Sequence, residues 1–219
     1  MSLLGHWKLV DVVDASGQGN DGEATAVSWV AGKIGNSASF NGSTSGITVP
    51  GADFDITAKL TLSWWQYATG TAGYAFAKHN GSKRQYGIYS GYLNWRFYSW
   101  NGSPGYIAHS TNFSLSTWQH FTVTVDGTAV LWYLDGDPDG GGTLSGAITT
   151  ALSDFYMGSR GNGDGGLTGF YTGLLDNVRA YDEVQTAWQV KSIFNLDKGS
   201  ERYDPWRKTV GGVYTRRAA

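Results

Sequence analysis

Trp118-Gln119-His120-Phe121-Thr122-Val123-Thr124-Val125-Asp126, then Gly127, then Val130 to Asp135, is the stretch of this sequence that decides its fold. Phe121, Val123 and Val125 alternate with His120, Thr122 and Thr124. A period of two places successive side chains on opposite faces of a strand. Asp126-Gly127 is a tight-turn pair, because glycine adopts positive φ at little cost. The residues after it therefore return as an antiparallel partner.

The same pattern extends outward in both directions. Lys59 to Tyr67 reads as a strand with Leu60, Leu62 and Trp64 on one face. Further strands are expected near residues 5–10, 26–30, 46–49, 74–78, 86–89, 93–98, 106–109, 155–158 and 170–181. Asn41-Gly42, Asn80-Gly81 and Asn101-Gly102 punctuate them as turns, and Asp137-Pro138-Asp139-Gly140 reads as a loop. One helical stretch, Val184 to Asn195, brings Ala187, Val190, Lys191 and Phe194 near one face. The 219 residues include 32 Gly, only 4 Pro and 15% aromatics, a profile of many short strands joined by glycine-rich turns. Together these features predict an all-β fold, an antiparallel two-sheet jelly-roll sandwich with one short C-terminal helix.

Composition also excludes several classes. There is no cysteine, so no disulfide framework. A formal net charge of −2 argues against a nucleic-acid-binding body. No run of about 18 apolar residues is present, so no membrane span is expected. The start, Met1-Ser2-Leu3-Leu4-Gly5-His6-Trp7, lacks the charged and long apolar regions of a signal peptide.

Three separated stretches carry a family signature. They are Asp14-Ala15-Ser16-Gly17-Gln18-Gly19-Asn20-Asp21-Gly22, then Gly32-Lys33-Ile34-Gly35-Asn36-Ser37-Ala38-Ser39-Phe40-Asn41-Gly42 running on to Pro50, then Gly173-Leu174-Leu175-Asp176-Asn177-Val178-Arg179-Ala180-Tyr181. In this order they resemble the concanavalin A-like, laminin-G-like jelly-roll family. The resemblance covers roughly residues 5–195. It divides the chain into a jelly roll over residues 1–195 and a basic, aromatic extension over residues 196–219. It implies a scaffold that binds far more often than it catalyses. It also implies a structural calcium held by Asp14, Asn20 through its carbonyl, and Asp176. The competing reading of the first loop is an Asx-turn network without metal.

Catalysis is not expected. A retaining glucanase of this superfamily needs two carboxylates about 5 Å apart. In one branch they sit on a strand as Glu-x-Asp-x-x-Glu, but the chain has only Glu23, Glu183 and Glu201, and none forms that motif. His6, His79, His109 and His120 are scattered without a zinc spacing, and His120 is expected to be a structural hydrogen bonder.

Aromatic residues crowd the middle third: Trp64, Trp65, Tyr67, Tyr74, Tyr86, Tyr89, Tyr92, Trp95, Phe97, Tyr98, Trp100 and Tyr106. Alternation sends about half of them away from the core. A ligand or partner face of Trp65, Tyr67, Tyr86, Tyr92, Trp95, Arg96, Tyr98 and Trp100 is expected. Sugar stacking, a protein interface and plain packing all remain open for it, since Tyr, Trp and Arg also dominate interfaces. The extension offers Arg202, Tyr203, Trp206, Arg207 and Tyr214 for docking on the body or on a neighbouring subunit.

Two functions follow. The first is a non-catalytic structural protein of a large assembly, a bacteriophage virion component such as a capsid decoration or tail protein. It would be made in the host cytoplasm, released by lysis, and homo-oligomeric. The second is a carbohydrate-binding, lectin-like adhesion module acting outside the cell.

Overall fold

The hairpin read in residues 118–135 is the axis from which the rest of the sandwich can be traced. The computed structural model describes residues 3–51, 54–100, 104–150 and 152–200. The strands begin with β1 (Leu3–Trp7), β2 (Glu23–Thr25), β3 (Ser28–Ala31), β4 (Asn36–Asn41), β5 (Gly46–Val49) and β6 (Lys59–Ala68). They continue with β7 (Ala72–Asn80), β8 (Lys83–Gly91), β9 (Trp95–Trp100), β10 (Pro104–Ala108), β11 (Trp118–Asp126), β12 (Ala129–Leu134) and β13 (Asp137–Thr143). The last are β14 (Phe155–Met157), β15 (Arg160–Gly161), β16 (Leu167–Thr168) and β17 (Thr172–Tyr181), followed by the helix α1 (Ala187–Ser200).

These strands form two sheets. The first runs β13-β12-β11-β6-β17-β4-β3, with β1 added beside β17. The second runs β10-β9-β8-β7-β14-β5-β2, with the small β15–β16 hairpin at its side. The expected antiparallel jelly-roll sandwich is therefore what forms. In the hairpin, Asp126 pairs Ala129 across Gly127, whose φ is +59°, as the turn chemistry requires.

The alternation read on β6 and β11 sets the core. Leu60, Leu62 and Trp64 point inward from β6, and Phe121, Val123 and Val125 from β11. Trp64 is the hub. Its ring meets Phe121 and Trp132 of its own sheet at 5.8 and 6.4 Å, and Phe76 and Trp95 of the other at 5.0 and 6.2 Å. Buried indole N–H groups need acceptors. Gln66, itself fully buried, accepts from Trp95 Nε1 at 2.7 Å and from Trp64 Nε1 at 3.3 Å.

Two expectations change. Asp137–Gly140 is strand, not loop: it opens β13, the end strand of the first sheet, whose strand partner among the described residues is β12. Proline is tolerated there because an outermost strand lacks a partner for the missing N–H. The helix begins at Ala187 rather than Val184 and runs to Ser200, past the boundary placed at residue 195. Thr186 caps it. Its Oγ1 accepts from Gln189 N–H while Gln189 Oε1 accepts from Thr186 N–H, a reciprocal capping box. Asp197, assigned to the extension by sequence, belongs to the body and is buried against it. Among the described residues, no helix is long and apolar enough to cross a membrane.

Gln66→Leu keeps the volume of this side chain but removes the acceptor of two buried indoles. A loss of about 2 kcal/mol in unfolding free energy is expected by chemical denaturation.

Candidate functional site

Alternation and two β-bulges decide which aromatic side chains reach the surface. On β9, Trp95 and Phe97 enter the core while Arg96, Tyr98 and Trp100 point away from it. Across the ladder, Tyr98 faces Tyr106 of β10 and Gly87 of β8, while Arg96 faces Tyr89. Tyr89 in turn pairs with Tyr74 of β7. Ring centroids then follow at 4.8 Å from Tyr74 to Tyr89, 6.0 Å from Tyr89 to Tyr98 and 5.2 Å from Tyr98 to Tyr106. Trp100 stacks beside Tyr98 at 5.8 Å and covers His79 at 4.8 Å. Four adjacent strands, about 4.8 Å apart, thus carry a continuous row of rings on the outer face of the second sheet.

Small and charged residues shape this row. Gly87 lies between Tyr74 and Tyr98, and a Cβ there would stand 3.1 Å from the Tyr74 ring, so the missing side chain leaves a notch. Arg96 lies over the Tyr106 ring at 4.7 Å, and Arg160 of β15 over Tyr74 at 5.8 Å. Burial, then the nearby Arg160 guanidinium, lower the His79 pKa to about 4, so this imidazole is neutral at pH 7.

The expected face is therefore redistributed. Arg96, Tyr98 and Trp100 come together in the row. Tyr86 and Trp95 are core residues with no exposed surface, because their strand parity turns them inward. Trp65 belongs to the other sheet and is buried beneath α1. Phe194 stacks on it at 5.6 Å, and its Nε1 donates to Asp197, which also pairs with Arg179 at 2.8 Å. Tyr67, two residues on, shares that outer face with Trp118 at 5.7 Å. Tyr92 sits at the tip of the β8–β9 hairpin, 88% exposed. It and Leu93 both have positive φ, 63° and 66°, in a position that favours Asn-Gly. Tyr74, Tyr89, Tyr106, His79 and Arg160 complete the row and were not among the expected face residues. The expected docking residues Arg202, Tyr203, Trp206, Arg207 and Tyr214 lie outside the described residues.

His120 is a structural hydrogen bonder. It is fully buried, its Nε2 lies 3.0 Å from Ser63 Oγ, and burial lowers its pKa to about 3.

Most of the oxygens expected to hold calcium serve as hydrogen-bond acceptors, the exception being a buried oxygen of Asp176. Asp14 accepts from the backbone N–H groups of His6, Ser16 and Asn20 and from Ser16 Oγ, at 2.7–3.1 Å. The Asn20 carbonyl accepts from Trp7 Nε1 at 2.8 Å. Asp176 Oδ2 accepts from the N–H groups of Lys33 and Ile34 at 2.8 Å each, while its buried Oδ1 meets no hydrogen-bond donor among the described residues. N–H groups aimed at Asp14, at the Asn20 carbonyl and at Asp176 Oδ2 compete with a cation for those lone pairs, whereas Asp176 Oδ1 is available to one. Among the described residues no group of three or more His, Asp or Glu side chains is placed to hold a metal ion. The first loop is an Asx-type network. Burial pushes the Asp176 carboxyl up to about 7.

The comparisons with known proteins agree with this architecture. A family model described as the concanavalin A-like lectin/glucanases superfamily matches residues 41–191. Domain 4 of AbnA, an extracellular arabinanase from Geobacillus stearothermophilus solved with arabinotriose, superposes with a TM-score of 0.64 at 23% identity, covering 88% of this chain and 98% of that one. The binding domain of Paraclostridial Mosquitocidal Protein 1 gives 0.73 at 17%, covering 89% of this chain and 52% of that one. A heptameric pentraxin from Limulus polyphemus gives 0.57 at 19%, covering 71% and 80%. No protein of curated description matches.

Two outcomes follow. The raised Asp176 pKa means the folded state holds this proton more tightly than the unfolded chain. Its contribution to stability is therefore full at low pH and lost as pH rises through about 7. In paired melts, Asp176→Asn should gain stability relative to the native protein between about pH 4 and about pH 8. Tyr92→Gly should raise the unfolding free energy by up to about 1 kcal/mol, because the left-handed backbone no longer opposes a side chain.

Proposed function

Since the chain belongs to the concanavalin A-like lectin/glucanases superfamily, whose model spans residues 41–191, we propose that it is a non-catalytic carbohydrate-binding module. The observation that carries this reading is the row Tyr74, Tyr89, Tyr98 and Tyr106, flanked by Trp100, on the outer face of the second sheet. A pyranose or furanose presents a face of C–H groups, and covering it with an aromatic ring removes apolar surface from water. The rings belong to paired strands and are held before any ligand arrives, which reduces the ordering cost of binding. Tyrosine hydroxyls and arginine N–H groups beside the rings supply donors for sugar oxygens.

Binding without hydrolysis is supported by the charges around the row. Those acting on Tyr74 and His79 come from Arg160 and Arg84, and those on Arg96 from tyrosines. Glycoside hydrolysis needs two opposed carboxyl groups flanking the bond. The AbnA domain solved with arabinotriose provides one precedent for a sugar on a fold of this kind. The virion reading draws no support from the family or from these structures. The docking residues of the basic extension, one of its supports, lie outside the described residues.

A panel of soluble polysaccharides in affinity electrophoresis tests the reading. At least one should retard the native protein, and Tyr98→Ala and Trp100→Ala should each weaken that retardation about tenfold while melting temperatures stay close to native. Trp188→Ala, an exposed residue on α1 away from the row, should bind as native does. Full binding by the Tyr98→Ala, Trp100→Ala double variant would move the site elsewhere. Failure of every polysaccharide to bind would remove the function.

A further inference from the structure

We infer that this aromatic face selects acidic polysaccharides, with sugar carboxylates taken by Arg96, Arg160 and Arg84. The inference rests on the carbohydrate-binding reading and adds the chemical class of the ligand.

The charge on the face is one-sided. Arg96 lies over Tyr106 and contacts the Tyr98 hydroxyl through Nη1 at 3.5 Å. Its Nε–H is enclosed and meets no acceptor. Arg160 lies over Tyr74 and donates to the Gly161 carbonyl at 3.1 Å. Arg84 donates from Nε to the Gly81 carbonyl at 2.8 Å. Neutral carbonyls, a hydroxyl and ring faces are thus their partners, and none of the three forms an ion pair with a carboxylate among the described residues. Other cations of the body are treated differently. Arg179 pairs with Asp197 at 2.8 Å, Lys191 with Asp137 at 2.8 Å and Lys78 with Asp55 at 3.3 Å. On a chain with a formal net charge of −2, a face bearing three arginines without acidic partners is a local positive field. After burial, Arg160 and Arg84 both add to the lowering of the His79 pKa.

The geometry suits a uronate. A pyranose lying flat on a ring turns its substituents outward in the plane of the sugar. In a uronic acid one of these is a carboxylate. The guanidinium groups lie on ring faces at two points of the row, Arg96 over Tyr106 and next to the Tyr98 hydroxyl, Arg160 over Tyr74, so a sugar stacked on a neighbouring ring of the row turns its edge toward them. Arginine matches a planar carboxylate with paired N–H donors, and such charge-assisted bonds are about twice as strong as neutral ones. A chain running across β7 to β10 would meet rings and cations in alternation.

Aromatic rings with arginines also describe a platform for single-stranded nucleic acid, so the test must separate the two. Four probes are titrated into the native protein: polygalacturonate, the same polymer with its carboxylates reduced to alcohols, dextran sulfate, and a thymidine 30-mer. Polygalacturonate should bind at least about tenfold more tightly than its reduced form, and the difference should shrink as salt is raised. Arg96→Gln and Arg160→Gln should each lower the polygalacturonate affinity about tenfold, and Arg96→Lys should recover part of it by restoring charge without the fork. Equal binding of the carboxylated and reduced polymers would overturn the acidic class and leave the carbohydrate reading standing. Equal or tighter binding of dextran sulfate or the thymidine 30-mer would overturn it in favour of a general polyanion surface. Binding to neither polygalacturonate nor any other polysaccharide would remove the carbohydrate reading itself. Arg160→Gln, on the two-residue strand β15 outside the main ladder, keeps the test decisive should Arg96→Gln disturb the fold.

Discussion

One buried carboxylate holds the N-terminal segments to the rest of the sandwich. Strand β17 pairs with β6 along one edge, but on its other edge its partner changes from β4, at residues 172–175, to β1, at residues 178–181. The change happens at a bulge, where Asn177 has a φ of +49°. Asp176 fills that interruption, giving one oxygen to the N–H groups of Lys33 and Ile34. Gly32 has to be glycine, since a Cβ would stand 2.6 Å from that oxygen. On the other side of the bulge, His6 Nε2 lies 2.6 Å from Asn177 Oδ1, and the His6 N–H is held by Asp14. The three signature stretches of the sequence are therefore parts of one joint. Hydrogen bonding at the chain crossings accounts for Asp14, Gly32, Asn177 and one oxygen of Asp176.

The two sheets use the same kind of side chain for opposite purposes. On the outside of the first sheet, Trp65 and His120 are covered by Phe194 of α1, and the Arg179–Asp197 pair closes over them. Burying an arginine with its carboxylate there is tolerable because the pair is bidentate and the Trp65 indole supplies a further donor. On the outside of the second sheet no helix packs over the rings among the described residues; the rings stay partly exposed, and the arginines lie on aromatic faces. A helix packed on one side and a partly exposed row of rings on the other distinguish the two outer faces of this body.

Much of the fold is legible in the amino-acid sequence. The β11–β12 hairpin, the inward set on β6 and the sandwich itself follow from period-two alternation and one Asp-Gly turn. The site is only half legible. On β9 the parity is available, because Arg96 marks the outward set and so assigns Tyr98 and Trp100 to it and Trp95 to the core. On β7 and β8 parity fails, because bulges between Tyr74 and Phe76 and between Lys78 and His79 shift the register. Bulges leave no sharp mark in sequence, so counting puts Tyr74 and Phe76 on one face, whereas Tyr74 joins the outer row and Phe76 the core. Trp65 is misplaced for another reason: alternation gives two faces but does not say that a helix more than a hundred residues later covers one of them. Arg160 reaches Tyr74 only through the β15–β16 hairpin, whose bridge from Gly161 to Asn80 is a long-range contact with no local signal.

The placement of β1 and α1 has a practical corollary. Both ends of the described body, at Leu3 and at the close of α1, are associated with the first sheet. The tyrosine row looks out from the opposite side. A molecule tethered near either of those points to a bead, a sensor chip or a neighbouring domain would present its rings away from the support, so orientation is set by the architecture rather than by the length of the tether.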